Sequence, residues 1–107
     1  VAVDIRKGSP TFGQHVAVEL NEDNKKQLLV PRGFAHGFVV LSEEAVFAYK
    51  VDNYYNFESE RGINFDDEGI GIDWKVKKES FQLSLKDNQQ PLFADAEYFK
   101  KAINLYV

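Results

Sequence analysis

In Pro31 to Leu41, PRGFAHGFVVL, a single histidine stands inside an apolar run. Strand periodicity puts Phe34, His36, Phe38 and Val40 on one face. On spacing alone His36 reads as a packed core histidine satisfied by a neighbour. Gly33 and Gly37 on either side argue instead for close approach of backbone or ligand. An imidazole that titrates near neutrality could there hydrogen-bond a developing oxyanion or shuttle a proton. In Ala45 to Val51, AVFAYKV, the same alternation turns Ala45, Phe47, Tyr49 and Val51 one way and Lys50 the other. Tyr49 is then either a core aromatic with its hydroxyl tied down or a general acid aimed into a cavity. Ser84 to Asp87, SLKD, fits a capping box with Asp87 as its N3 carboxylate. Tyr54, Tyr55, Glu58 and Glu60 fall in the polar-aromatic stretch Asp52 to Gly62. They read as a solvated rim, or, for the tyrosine pair, as a surface able to stack on a flat ring.

Metal chemistry is not expected from these residues. Pro31, Gly33 and His36 match the second cupin motif, whose histidine is commonly a metal ligand, but a metal needs about three or four ligands. The only other histidine, His15, has no carboxylate partner at ligand spacing, and the chain has no cysteine. A net charge of −4 leaves no basic stripe for nucleic acid. No apolar run approaches the roughly 18 residues of a membrane span, and no charged segment leads into a signal-like core. The expectation is a soluble, cytoplasmic chain.

The elements that must position these groups are mostly strands. In VAVDIR, Val1, Val3 and Ile5 alternate with Ala2, Asp4 and Arg6, as in a half-buried strand. The segment 7–13, KGSPTFG, is a turn, and QHVAVEL returns as a second strand. Further strands are expected in QLLVP, HGFVVL and AVFAYKV, the last two joined by SEE. Leu92, Ala96, Phe99, Ile103 and Tyr106 recur at helical spacing, predicting an amphipathic helix over 93–107 after a strand-rich portion, 1–92. The fold expected is all-β, a cupin-like jelly-roll barrel with a C-terminal helix. A strand pattern that begins at Val1 suggests that the barrel is incomplete and that an N-terminal portion is missing.

The segments VAVDIRKGSPTFGQ, NKKQLLVPRGFAHGFVVLSE, FAYKVDNYYNFESERGINFDD, GIGIDW and LSLKD, in that order, closely resemble the dTDP-4-dehydrorhamnose 3,5-epimerase family from Val1 to about Asp95. The resemblance implies a cupin-type jelly roll, a homodimer, no metal or organic cofactor, and a dTDP-sugar substrate epimerised next to its C4 ketone. It implies that Tyr49 is the proton donor and that Asp87 orients the base histidine, displacing the simple capping role. His36 would contact substrate, Tyr55 would stack on thymine, and Glu60 and Lys86 would contact nucleotide or substrate. The family segment bearing the base histidine precedes Val1, so the 107 residues alone are expected to be inactive. A non-catalytic, cupin-like sugar-nucleotide-binding or dimerisation module is the alternative. Leu29 replaces a tryptophan common in the family, and His15 stands where many members carry tryptophan.

Overall fold

The computed structural model describes residues 1–99 and 105–106. Its sheet is built around β1 (Ala2–Asp4), which lies between β2 (His15–Val16) and β3 (Phe34–His36), both antiparallel to it. The register sets Val3 opposite His15 and Ala35, and Ala2 opposite Val16 and His36. As the central strand, β1 is buried on both faces, not on one. Backbone bonds carry the pairing past the strand ends, from Ile5 N to Gly33 O (3.1 Å) and from Gly37 N to Val1 O (3.1 Å).

The first turn forms as its sequence predicts. Gly8 and Gly13 take positive φ, and the Gly13 amide returns to Asp4 O at 2.8 Å. Inside it, Asp4, 1% exposed, accepts from Arg6 Nε and Nη2 (both 2.9 Å), Ser9 Oγ (2.6 Å) and Thr11 Oγ1 (2.5 Å). A carboxylate this deep is tolerated because charged and neutral donors surround it.

Elsewhere the structure departs from the expected strands. Among the described residues, the second strand keeps only His15–Val16, and residues 37–51 form no ladder. Val46 is 97% exposed. A strand needs a neighbour for its backbone groups, and here the apolar alternation of 37–51 meets none. The two segments still face each other, since the Phe38 and Phe47 rings stack at 4.0 Å. What stands is a sheet-based fold with few, short helical elements.

The expected C-terminal helix is not formed over 93–99. A single 3-10 turn, Phe93–Asp95, gives way to extended chain, and Phe99 bridges Arg6 in parallel. The physical reason is a tertiary one. Phe93 and Tyr98 both pack on Phe12, with all three ring pairs at 5.2 Å. Side chains five apart point in different directions on a regular helix, whereas the 3-10 turn followed by extended chain brings both to the same ring. Ile103 of the stripe lies outside the described residues. Among the described residues the one α-helix, α1 (Leu85–Asn88), begins at the SLKD cap: Ser84 Oγ accepts from the Asp87 amide at 3.1 Å. Among the described residues no helix is long and apolar enough to cross a membrane.

Candidate functional site

Glu60 joins two parts of the chain. Tyr55 Oη donates to Glu60 Oε2, and Lys86 Nζ donates to Glu60 Oε1. Local structure explains the first contact. Asn56 caps a 3-10 turn, Phe57–Ser59, by accepting from the Glu58 amide (3.1 Å), and the Glu60 amide closes it on Phe57 O (3.1 Å). One compact turn thus sets Tyr55 and Glu60 side by side. Lys86 comes from α1, whose start is held by the Ser84 cap.

The electrostatics follow from those contacts. Lys86, then Tyr55, holds the Glu60 carboxyl below its ordinary range. Glu60 in turn raises the Lys86 ammonium and the Tyr55 phenol. Glu60 is therefore a carboxylate at neutral pH, Lys86 a cation and Tyr55 a neutral donor. The cluster borders a cleft of about 580 Å³ lined by Glu60, Arg61, Gly62, Lys86, Gln90 and Glu97. Arg61 donates to the carbonyls of Glu58 (2.7 Å) and Glu60 (2.8 Å) and pairs with Glu97 (2.6 Å). The ring of Tyr55 stays exposed while its hydroxyl is fixed. Such an arrangement can stack on a flat ring and meet its polar edge with a carboxylate and an ammonium.

The remaining residues singled out by sequence lie apart from this cluster. His36 is the last residue of β3, paired with Ala2, and its side chain is exposed. Tyr49, 72% exposed, sits 5.3 Å from the Phe47 ring, which stacks on Phe38. The two phenylalanines expected beside His36 and Tyr49 thus do meet and form an open aromatic wall. Asp87 is exposed on α1 next to Lys86. Among the described residues no hydrogen bond, ion pair or ring contact joins His36, Tyr49 and Asp87 to one another. Nor do three or more His, Asp or Glu side chains there form a group able to hold a metal.

Sequence reasoning missed Arg61, Gln90 and Glu97 as cleft residues, and nothing in local spacing marks them. It also missed Asp67, although DEG within FDDEGIG is a legible turn signal, an Asp with Gly two residues on.

Residues 1–95 match the family described as dTDP-4-dehydrorhamnose 3,5-epimerase. The enzyme of that name from Shigella flexneri is 54% identical over 99 residues, which span 92% of this chain and 54% of that protein. Its namesake from Salmonella typhimurium is 56% identical over 96 residues, 90% of this chain and 52% of that one. The crystal structure of dTDP-4-dehydrorhamnose 3,5-epimerase from Elizabethkingia anophelis aligns with a TM-score of 0.86 at 55% identity, covering 88% of this chain and 51% of that one. A dTDP-6-deoxy-D-glucose-3,5-epimerase from Legionella pneumophila, crystallised with dTDP-4-keto-L-rhamnose, aligns at 0.81 and 54% identity, over 85% and 48% of the two chains. The chain spans about half the length of the relatives it matches.

Proposed function

The chain belongs to the dTDP-4-dehydrorhamnose 3,5-epimerase family, and from that premise we propose that the intact protein epimerises a dTDP-4-keto-6-deoxyhexose in dTDP-L-rhamnose biosynthesis. A base takes the proton from the carbon next to the C4 ketone, and the C–H electron pair moves into an enolate on the carbonyl oxygen. An acid on the opposite face returns a proton to the same carbon and inverts it. The reaction as proposed uses neither metal nor organic cofactor, because acid, base and hydrogen-bond donors to the enolate oxygen suffice.

Tyr49 is the acid in this reading, His36 faces the sugar, and Asp87 orients a base histidine. That histidine comes from the half of the relatives' length that these residues do not span. Tyr55 stacks on the thymine, with Glu60 and Lys86 beside it. The Tyr55–Glu60–Lys86 cluster carries the reading, since Glu60 holds the phenol and leaves the ring face exposed for a base. Holding the ring in place before binding lowers the ordering cost of stacking. The exposed apolar alternation of 37–51 supports a jelly-roll barrel completed by further strands and packed in a homodimer, which this reading places in the cytoplasm.

The test is NMR of the keto sugar nucleotide in deuterated buffer. The intact protein should place deuterium at C3 or C5, and residues 1–107 alone should not. Tyr49→Phe in the intact protein should slow productive reprotonation while leaving some exchange. Binding of dTDP without any exchange by the intact protein would establish the non-catalytic binding module instead. Exchange by residues 1–107 alone would make another residue, such as His36, the base.

A further inference from the structure

The geometry points to Asp67 as the residue that positions the Glu60–Lys86 pair, and with it Tyr55. Asp67 lies in a polar turn, yet it is 8% exposed. Its Oδ1 accepts from the amides of Gly69 (2.8 Å) and Ile70 (3.2 Å), closing the turn on itself. Its Oδ2 accepts from the amide of Phe93 at 2.8 Å, across 26 positions of sequence. One carboxylate thus serves as turn former and as a bridge to a distant segment.

That bridge lies at the end of a row of contacts running along two segments in the same order. Glu60 meets Lys86. A β-carbon at Gly62 would lie 2.4 Å from Gln90 Cδ, so the end of the Gln90 side chain lies against Gly62. The Asn64 amide donates to Pro91 O at 2.7 Å. Asp67 then takes the Phe93 amide. Phe93 is itself held against Phe12 and Tyr98. The bridge therefore ties the segment carrying Glu60 to an anchored part of the fold and sets how closely it approaches α1. Without it, the row keeps one backbone bond, the contact of the Gln90 side chain with Gly62 and two solvent-facing ion pairs, Glu60–Lys86 and Arg61–Glu97, and pairs of that kind are too weak to hold register alone.

The inference rests on the nucleotide-binding reading only for its effect on affinity, so the test separates the two. In the intact protein, Asp67→Ser keeps a hydroxyl for the local turn but cannot span to Phe93. Asp67→Asn keeps the shape and weakens the bridge. Carbon-13 NMR titration of the Glu60 carboxyl reads the pair directly, with folding checked by cooperative thermal unfolding. The Glu60 midpoint should rise in both variants, and the dTDP dissociation constant should increase on the order of tenfold, the size of coupling usual within one bonded network. In a double-mutant cycle, Asp67→Ser should add little to Lys86→Met, whereas a merely structural Asp67 would weaken binding independently of Lys86. A Glu60 titration unchanged from wild type in both variants overturns the inference. If the midpoint moves but the wild-type protein binds no dTDP, Asp67 still positions the pair and the nucleotide reading falls.

Discussion

Replacing Asp4 by asparagine should remove a large share of the stability of this sheet. Asp4 accepts from Arg6 Nε, Arg6 Nη2, the Arg6 amide, Ser9 and Thr11. In Asp4→Asn the amide oxygen still accepts from Arg6 N and Nε, but its NH2 faces Arg6 Nη2. The hydroxyls of Ser9 and Thr11 can turn to accept from that NH2, so their loss is partial. Breaking a fully buried pair costs about 3–5 kcal/mol. Arg6 is 31% exposed and recovers some hydration, which brings the expected cost to about 2–3 kcal/mol. An exposed pair such as Arg61–Glu97 is worth about 0–1 kcal/mol by comparison. At about 4–8 °C per kcal/mol, Tm should fall roughly 10–20 °C. The acid dependence supplies a second reading. The Arg6 guanidinium holds the Asp4 carboxyl well below its ordinary value of 3.8, against the opposing effect of burial. A folded pKa below the unfolded one gives stability that is complete above the unfolded value and is lost as pH falls towards the folded value. Wild type should therefore lose this contribution progressively below about pH 4, and the gap to Asp4→Asn should narrow. Urea unfolding of both proteins at pH 7, 4 and 3, followed by circular dichroism, measures both effects. A gap under about 0.5 kcal/mol at pH 7, or one that stays constant to pH 3, refutes the reasoning.

Tyr55→Ala should weaken dTDP binding by about 1–3 kcal/mol if the ring stacks on the base, and calorimetry showing an unchanged dissociation constant would reduce the loop to a solvated rim. Glu60→Gln removes the carboxylate that raises the Tyr55 phenol, so ultraviolet difference titration should find Tyr55 ionising at lower pH than in wild type; no change would mean that the hydrogen bond is not formed in solution. Gly33→Ala should destabilise by about 1–3 kcal/mol, because φ at Gly33 is +87° and the added β-carbon would lie 2.6 Å from Arg6 Cγ and 2.7 Å from Leu105 Cδ1. Thermal unfolding checks this, and a Tm equal to wild type would show that the turn relaxes without strain.

What the sequence carried best was local. The turn after β1 needs positive φ at Gly8 and Gly13, and the residues there permit it. The cap at Ser84 and the turn between Tyr55 and Glu60 close through bonds spanning a few residues, so residue type and spacing nearly decide them. Tyr55, Glu60 and Lys86 could be named from the family resemblance. That Tyr55 and Lys86 share a single carboxylate was not written in either segment.

Tertiary structure decided whatever required a distant partner. Alternation placed Asp4 and Arg6 on one face of the segment VAVDIR, but a face with charges reads as solvated, and only the closing turn with Ser9 and Thr11 makes burial of Asp4 tolerable. The stripe from Leu92 has the period of a helix, yet the approach of Phe12 draws Phe93 and Tyr98 onto one ring and extends the chain. Residues 37–51 carry the alternation of strands, and an alternating pattern states which side chains share a face without supplying the backbone partner that makes a strand. Asp67 shows the same division within one side chain. Its bonds to Gly69 and Ile70 follow from the neighbouring sequence, while the bond to Phe93 exists only because folding has brought the two segments together.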